Sequence, residues 1–139
     1  MIKPTISLTL VAVVFSAAAL LYAEDRMRAG LWEVTTTLDG KPSGVNGNTC
    51  YTPAMVETAN LPAKTLREAT EKSGTKRGCT LKDFKMEGNR ISMTQACGAK
   101  SEVLSSTYSG DTFETVFTAT EAGVSTVMRL KGRRVGDCK

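Results

Sequence analysis

The sequence predicts a mainly β protein: a curved antiparallel meander sheet or small barrel of about six strands, with a short helical insert and two disulfides. Three observations predict it. Apolar side chains alternate with period two from Cys79 onward, turn residues punctuate that alternation at regular intervals, and four cysteines are spread widely through the chain. With 139 residues, 41% hydrophobic and 23% charged, the composition is that of one globular domain.

The elements follow in chain order. Lys3, the uncharged apolar run 6–21 and Ala23 before Glu24 form a secretory signal, so residues 1–23 are read as a signal peptide and residues 24–139 as the mature β domain. Cleavage after Ala19 is the second option, and an uncleaved membrane anchor is the reading it competes with. Removal of the signal leaves no stable membrane span, so the expected location is the periplasm. Residues 30–38 alternate as a strand with Trp32, Val34, Thr36 and Leu38 on one face. Residues 40–48 are rich in turn formers and read as loose. Thr52 can cap a helix that Pro53 begins, Leu61-Pro62 interrupts it, and residues 63–72 form a second amphipathic piece ending at Ser73-Gly74; the helical insert is thus about 53–72.

The registers of the meander can be derived. A two-residue turn at Gly88-Asn89 sets Met86 against Ile91 and Phe84 against Met93. A second at Gly98-Ala99 sets Met93 against Leu104 and Ile91 against Ser106, and a third at Gly110-Asp111 sets Tyr108 against Phe113 and Leu104 against Phe117. A loop over 120–123 then aligns Ala119 with Val124, Thr115 with Met128 and Phe113 with Leu130. All four turns place the same apolar set on one face, where a slip by a single residue would break the agreement. Asp83, Lys85, Arg90, Thr107, Glu114 and Arg129 lie on the other, with Val103, Val116 and Val127 as apolar exceptions. The buried face must curl on itself or be covered by the helical insert. Its side chains either fill the interior or leave a pocket.

The cysteines are too far apart for a redox or zinc C-x-x-C motif, so two structural bridges are expected among Cys50, Cys79, Cys97 and Cys138. Cys79 begins a strand and Cys97 ends its antiparallel neighbour, which favours Cys79 with Cys97 and Cys50 with Cys138. The competing pairing is Cys50 with Cys79 and Cys97 with Cys138. Strict alternation sets Cys79 and Cys97 on opposite faces, so the favoured pairing requires a bulge near Cys79.

The chain has no histidine, which removes catalytic triads, Cys-His dyads and histidine-bearing zinc sites. No catalytic residue, metal site or cofactor is assigned. Asp111, Glu114, Glu121 and Asp137 are carboxylates of the right type, but they fall in turns, in loops or on the wet face. The 18 basic residues against 14 acidic give a net charge of +4, and the basic clusters at 76–77 and 131–139 have no interleaved aromatics, so they read as solvated faces and no nucleic-acid partner is expected.

Segments 29–37, 50–53, Cys79 with Asp83-Phe84, Gly88-Asn89, Cys97-Gly98, 108–111 and 132–138 form a recognisable set, in which the opening G-L-W-E-V and the closing G-x-R-x-G-D-C are the specific parts. On these the chain resembles the bacterial exported family called domain of unknown function 3617, over residues 26–138. The resemblance implies a proteobacterial periplasmic protein with paired cysteines, and no activity, catalytic residue or cofactor.

The expected function is binding rather than catalysis, by a protein that is not an enzyme. The candidate ligand-binding residues are Leu104, Tyr108, Phe113, Phe117 and Met128, with Gln95 and Glu102 as polar groups on the otherwise apolar face. Gln95 and Glu102 lie near a sheet end, where exposure is expected; buried, they would be anchors at a cavity mouth. The partner is a small amphiphile on the concave face. The alternative is an envelope protein that docks on loops or an edge strand of a module with a filled core.

Overall fold

The computed structural model describes residues 25–44 and 46–139, so the signal peptide read at 1–23 lies outside the described residues. Its elements are β1 (Gly30–Leu38), β2 (Lys41–Pro42), β3 (Gly47–Tyr51), α1 (Pro53–Asn60), α2 (Ala63–Lys76), β4 (Cys79–Glu87), β5 (Arg90–Cys97), β6 (Lys100–Tyr108), β7 (Thr112–Glu121) and β8 (Val124–Gly136). The strands form one antiparallel eight-stranded sheet in the order β2-β1-β8-β7-β6-β5-β4, with β3 also paired to β1. The sheet is not closed, which removes the barrel alternative. Its edges, β4 on one side and β2 with β3 on the other, are joined through the two helices rather than to each other.

Three turns give the registers expected of them: Phe84 faces Met93, Met93 faces Leu104, and Leu104 faces Phe117. The fourth differs. Ala122-Gly123 is a two-residue turn with φ of 49° and 75°, so Glu121 pairs with Val124, Phe117 with Met128 and Phe113 with Gly132. Reading 120–123 as a longer loop displaced the register by two residues. An even displacement leaves every side chain on its face.

β4 carries the bulge that the favoured disulfide requires. Leu81 pairs with Gln95 and Asp83 with Thr94, which leaves Lys82 as the extra residue. The parity of β4 changes there, so Cys79 lies opposite Cys97 and the two are bridged, as are Cys50 and Cys138.

The main core lies at one end of the sheet. Trp32 is fully buried against Phe113, 5.5 Å between ring centroids, with Met27, Val34 and Val56 around them. The Trp32 indole N–H donates to the Arg28 carbonyl at 3.0 Å, so the polar end of the ring is satisfied. Gly132 has to be glycine here: a Cβ would stand 2.1 Å from the Phe113 ring. Gly30 lies under the Arg134 side chain in the same way, and Arg134 Nε donates to the Ala29 carbonyl at 2.8 Å. The glycines, tryptophan and arginine of the opening and closing motifs thus build this end of the fold.

Both helices begin as expected, with the Thr52 hydroxyl accepting from the Met55 N–H and Pro53 at the first position of α1. Arg26 and Asn60 tie the far end of α1 to the N-terminal segment: Arg26 donates to the Ala59 and Leu61 carbonyls, and Asn60 pairs with both backbone groups of Met27. α2 runs past Ser73-Gly74 to Lys76, longer than the expected end at 72. Gly74 does not stop the helix because its bare Cα packs on the sheet, where a Cβ would lie 3.4 Å from Gln95 and 3.6 Å from the Cys79 carbonyl. The stop is Gly78, at φ 75°.

Deleting Lys82 should remove the bulge and make Leu81 and Asp83 neighbours, so that β4 alternates strictly with Cys79 still on the inner face opposite Cys97. A non-reducing peptide map of this variant should keep the Cys79–Cys97 link at wild-type yield, and loss of the link would contradict this role for the bulge.

Candidate functional site

The registers arrange the inner face as rows that cross the strands. One row reads Phe84, Met93, Leu104, Phe117, Met128 and Leu38, each directly opposite the next. At about 4.8 Å between strands, its first five members span about 19 Å. Phe84, Met93, Leu104, Phe117 and Met128 are all half-buried, and Leu38 is exposed. A row of large apolar side chains at the centre of a sheet would ordinarily be covered. Here α1 packs into the Trp32 cluster and α2 packs on β4, with only a narrow stripe of Leu66, Thr70 and Gly74 turned inward.

The neighbouring row is Leu81, Gln95, Glu102, Ala119 and Thr126. Gln95 and Glu102 are 5% and 8% exposed, so the expectation of exposure at a sheet end does not hold for them. The end of α2 covers them. Arg77, which caps that helix, donates through Nη2 to Gln95 Oε1 at 2.8 Å and through Nη1 to Glu102 Oε2 at 3.5 Å. Lys100 Nζ lies 2.8 Å from Glu102 Oε1. The hydrogen bond from Lys100 holds the Glu102 carboxyl below its ordinary range, with the charges of Lys100 and Arg77 acting in the same direction and burial opposing them. Glu102 is therefore ionised at neutral pH and engaged on both oxygens.

The two rows meet in a cleft of about 70 Å³ lined by Arg77, Met93, Gln95, Glu102, Leu104 and Phe117. Of the residues singled out in the sequence, it brings together Leu104, Phe117, Gln95 and Glu102, and Met128 continues its apolar row. Tyr108 and Phe113 are elsewhere. They pack with Trp32 and Tyr51 at the core end, two rows away, and take no part in the cleft. Arg77 and Lys100 were missed because basic residues beside turns, Arg77 within the 76–77 cluster, read as solvated. The available signal was the pair Gln95 and Glu102, since two polar groups on a buried face demand donors.

A larger open depression of about 460 Å³ involves Thr107, Glu114 and Lys131, a row of the wet face. Glu114 there is paired with Arg129 at 3.6 Å and Lys131 at 4.0 Å, and the Tyr108 and Phe113 rings beside it belong to the core. Asp111 is ion-paired with Arg28 in its turn, and Asp137 with Arg134. Among the described residues, Cys79, Cys97 and Glu102 are the one grouping with metal-ligand atoms close together. The two sulfurs are bonded to each other and the carboxylate is held by Lys100, so the group is not a ligand set.

A family model described as protein of unknown function (DUF3617) matches residues 27–138. The chain belongs to this family. The match spans both disulfides and every described strand and helix of DUF3617 as seen here, including the Trp32 end and the cleft. No curated protein and no solved structure matches the chain. No helix among the described residues is long and apolar enough to cross a membrane.

Glu102→Gln should lower stability at neutral pH by about 1 kcal/mol, the usual size of one charge-assisted bond between partly exposed partners. Because the folded carboxyl titrates below its ordinary value of 4.5, the wild-type advantage should be complete above that pH and vanish as pH falls through the folded value. Urea unfolding of both proteins across the acid range checks this, and a gap that stays constant with pH would refute it.

Proposed function

We propose that this protein is an exported periplasmic binding module for a small amphiphile, held on the inner face of the sheet. The observation that carries the reading is the row Phe84, Met93, Leu104, Phe117 and Met128, half-buried along its whole length and flanked by a fixed polar cluster at the cleft. Apolar walls with a few convergent polar groups are the usual composition of a small-molecule site. Each methylene that covers such a row contributes up to about 0.8 kcal/mol when fully buried. The signal-like segment at 1–23 and the two disulfides suit an oxidising, extracytoplasmic compartment.

Docking of another protein on the open edge is the weaker reading. β4 presents Lys82, Asp83, Lys85 and Glu87 as exposed charged residues and breaks its ladder with the bulge at Lys82, both devices that oppose strand addition.

Protein purified from a periplasmic fraction should have its N-terminus at Glu24, or at Leu20 by the second cleavage site. It should take up N-phenyl-1-naphthylamine saturably and release it to dodecyl maltoside. Phe117→Ala should weaken dye binding several-fold while costing about 1–2 kcal/mol of stability, less than the roughly 3–5 kcal/mol of a closed core. Absence of saturable uptake, or a loss of stability of core size with unchanged affinity, would overturn the reading.

A further inference from the structure

We infer that the cleft selects amphiphiles with a single anionic head, the head seated on Arg77 and the chain lying along the row from Met93 to Met128. This rests on the binding reading above and adds the substrate class. At the polar end of the cleft one carboxylate, Glu102, pairs with two cations, Arg77 in the lining and Lys100 outside it. The two cations are engaged differently. Lys100 is 2.8 Å from Glu102, whereas Arg77 reaches the same carboxylate only at 3.5 Å. Its one short bond is to Gln95, a neutral group, at 2.8 Å. Glu102 is thus shared, closely with Lys100 and at longer range with Arg77, so the three groups carry one net positive charge, presented beside the apolar wall by Arg77.

The geometry suits a carboxylate. Gln95, itself buried, fixes the Arg77 guanidinium in orientation, and more than half of the Arg77 side chain is exposed. A planar guanidinium held on one side can offer its remaining N–H donors to a carboxylate as a fork. Arg77 lines the same cleft as Met93, Leu104 and Phe117, so a head on the guanidinium puts the first carbons of its chain on those side chains. From there the direct pairing of Phe117 with Met128 carries the apolar track onward across β8. A cationic head would meet Arg77 and Lys100. A neutral head would desolvate the Arg77 guanidinium with no ionic gain.

The test is a series with one chain and three heads: dodecanoate, dodecyl maltoside and dodecyltrimethylammonium, each below its micelle concentration, competing with N-phenyl-1-naphthylamine on the full mature protein. Dodecanoate should bind about tenfold more tightly than the maltoside, as one charge-assisted contact implies, and the ammonium most weakly. Arg77→Gln should abolish the preference, bringing dodecanoate affinity down to that of the maltoside measured on the same variant, while Arg77→Lys should keep part of it. Should Arg77→Gln fail to fold, the wild-type protein still decides, because dodecanoate affinity should fall with added salt and maltoside affinity should not. Equal affinity for anionic and neutral heads, or a preference that survives in Arg77→Gln, overturns the inference and leaves the binding reading intact. Failure of all three to displace the dye overturns both.

Discussion

An open sheet with one apolar face has to put something against that face, and this chain has only two short helices to use. It spends α1 on the Trp32 end, where Val56 and Ala59 join Met27, Trp32, Val34 and Phe113. The bridge from Cys50 to Cys138 and the bond from Arg134 to Ala29 fasten the same end, joining the start of β1, the end of β3 and the tail of β8. α2 is committed to the opposite edge. What lies between them, the row from Phe84 to Met128, is left partly open to water, and the binding proposal follows from that distribution of cover.

The far end of α2 is held by polar groups instead of bulk. Leu66 and Gly74 are its buried residues, and beyond them Arg77, Gln95, Glu102 and Lys100 form a compact network beside the Cys79–Cys97 bridge. Such a network is a poor source of net stability, since withdrawing charges from water offsets most of what their attraction returns. It is a good source of position. Removing Arg77 would leave buried Gln95 without its partner, and removing Lys100 would free an oxygen of buried Glu102, so the cluster fixes how α2 sits over β5 and β6 and holds Arg77 at the cleft.

Much of this was legible in the sequence, for reasons that can be named. The turns at Gly88, Gly98 and Gly110 set their registers correctly because two-residue hairpins leave little freedom, and even the misjudged turn at Ala122-Gly123 kept each side chain on its face. The need for a bulge near Cys79 came from parity alone, and Lys82 supplies it. β3 was not legible. Gly47-Asn48-Thr49 has no apolar alternation, and its strand form comes from pairing with Trp32 and its neighbours on β1. The candidate site was half legible: Leu104, Phe117, Met128, Gln95 and Glu102 meet at or beside the cleft, but Tyr108 and Phe113 share only their face. Which row of a face stays open depends on where the helices land, and local pattern does not encode that.

The central claim is that the Met93 to Met128 row is the wall a ligand covers, while the Trp32 end is closed core. Methyl NMR tests it directly, with ¹³C-labelled Met, Leu and Val methyls followed as dodecanoate is added. The account predicts saturable shifts at Met93, Leu104 and Met128, with Val34 and Val56 unmoved. Shifts concentrated at Val34 and Val56, or none at Leu104 and Met128 under saturating ligand, would contradict it.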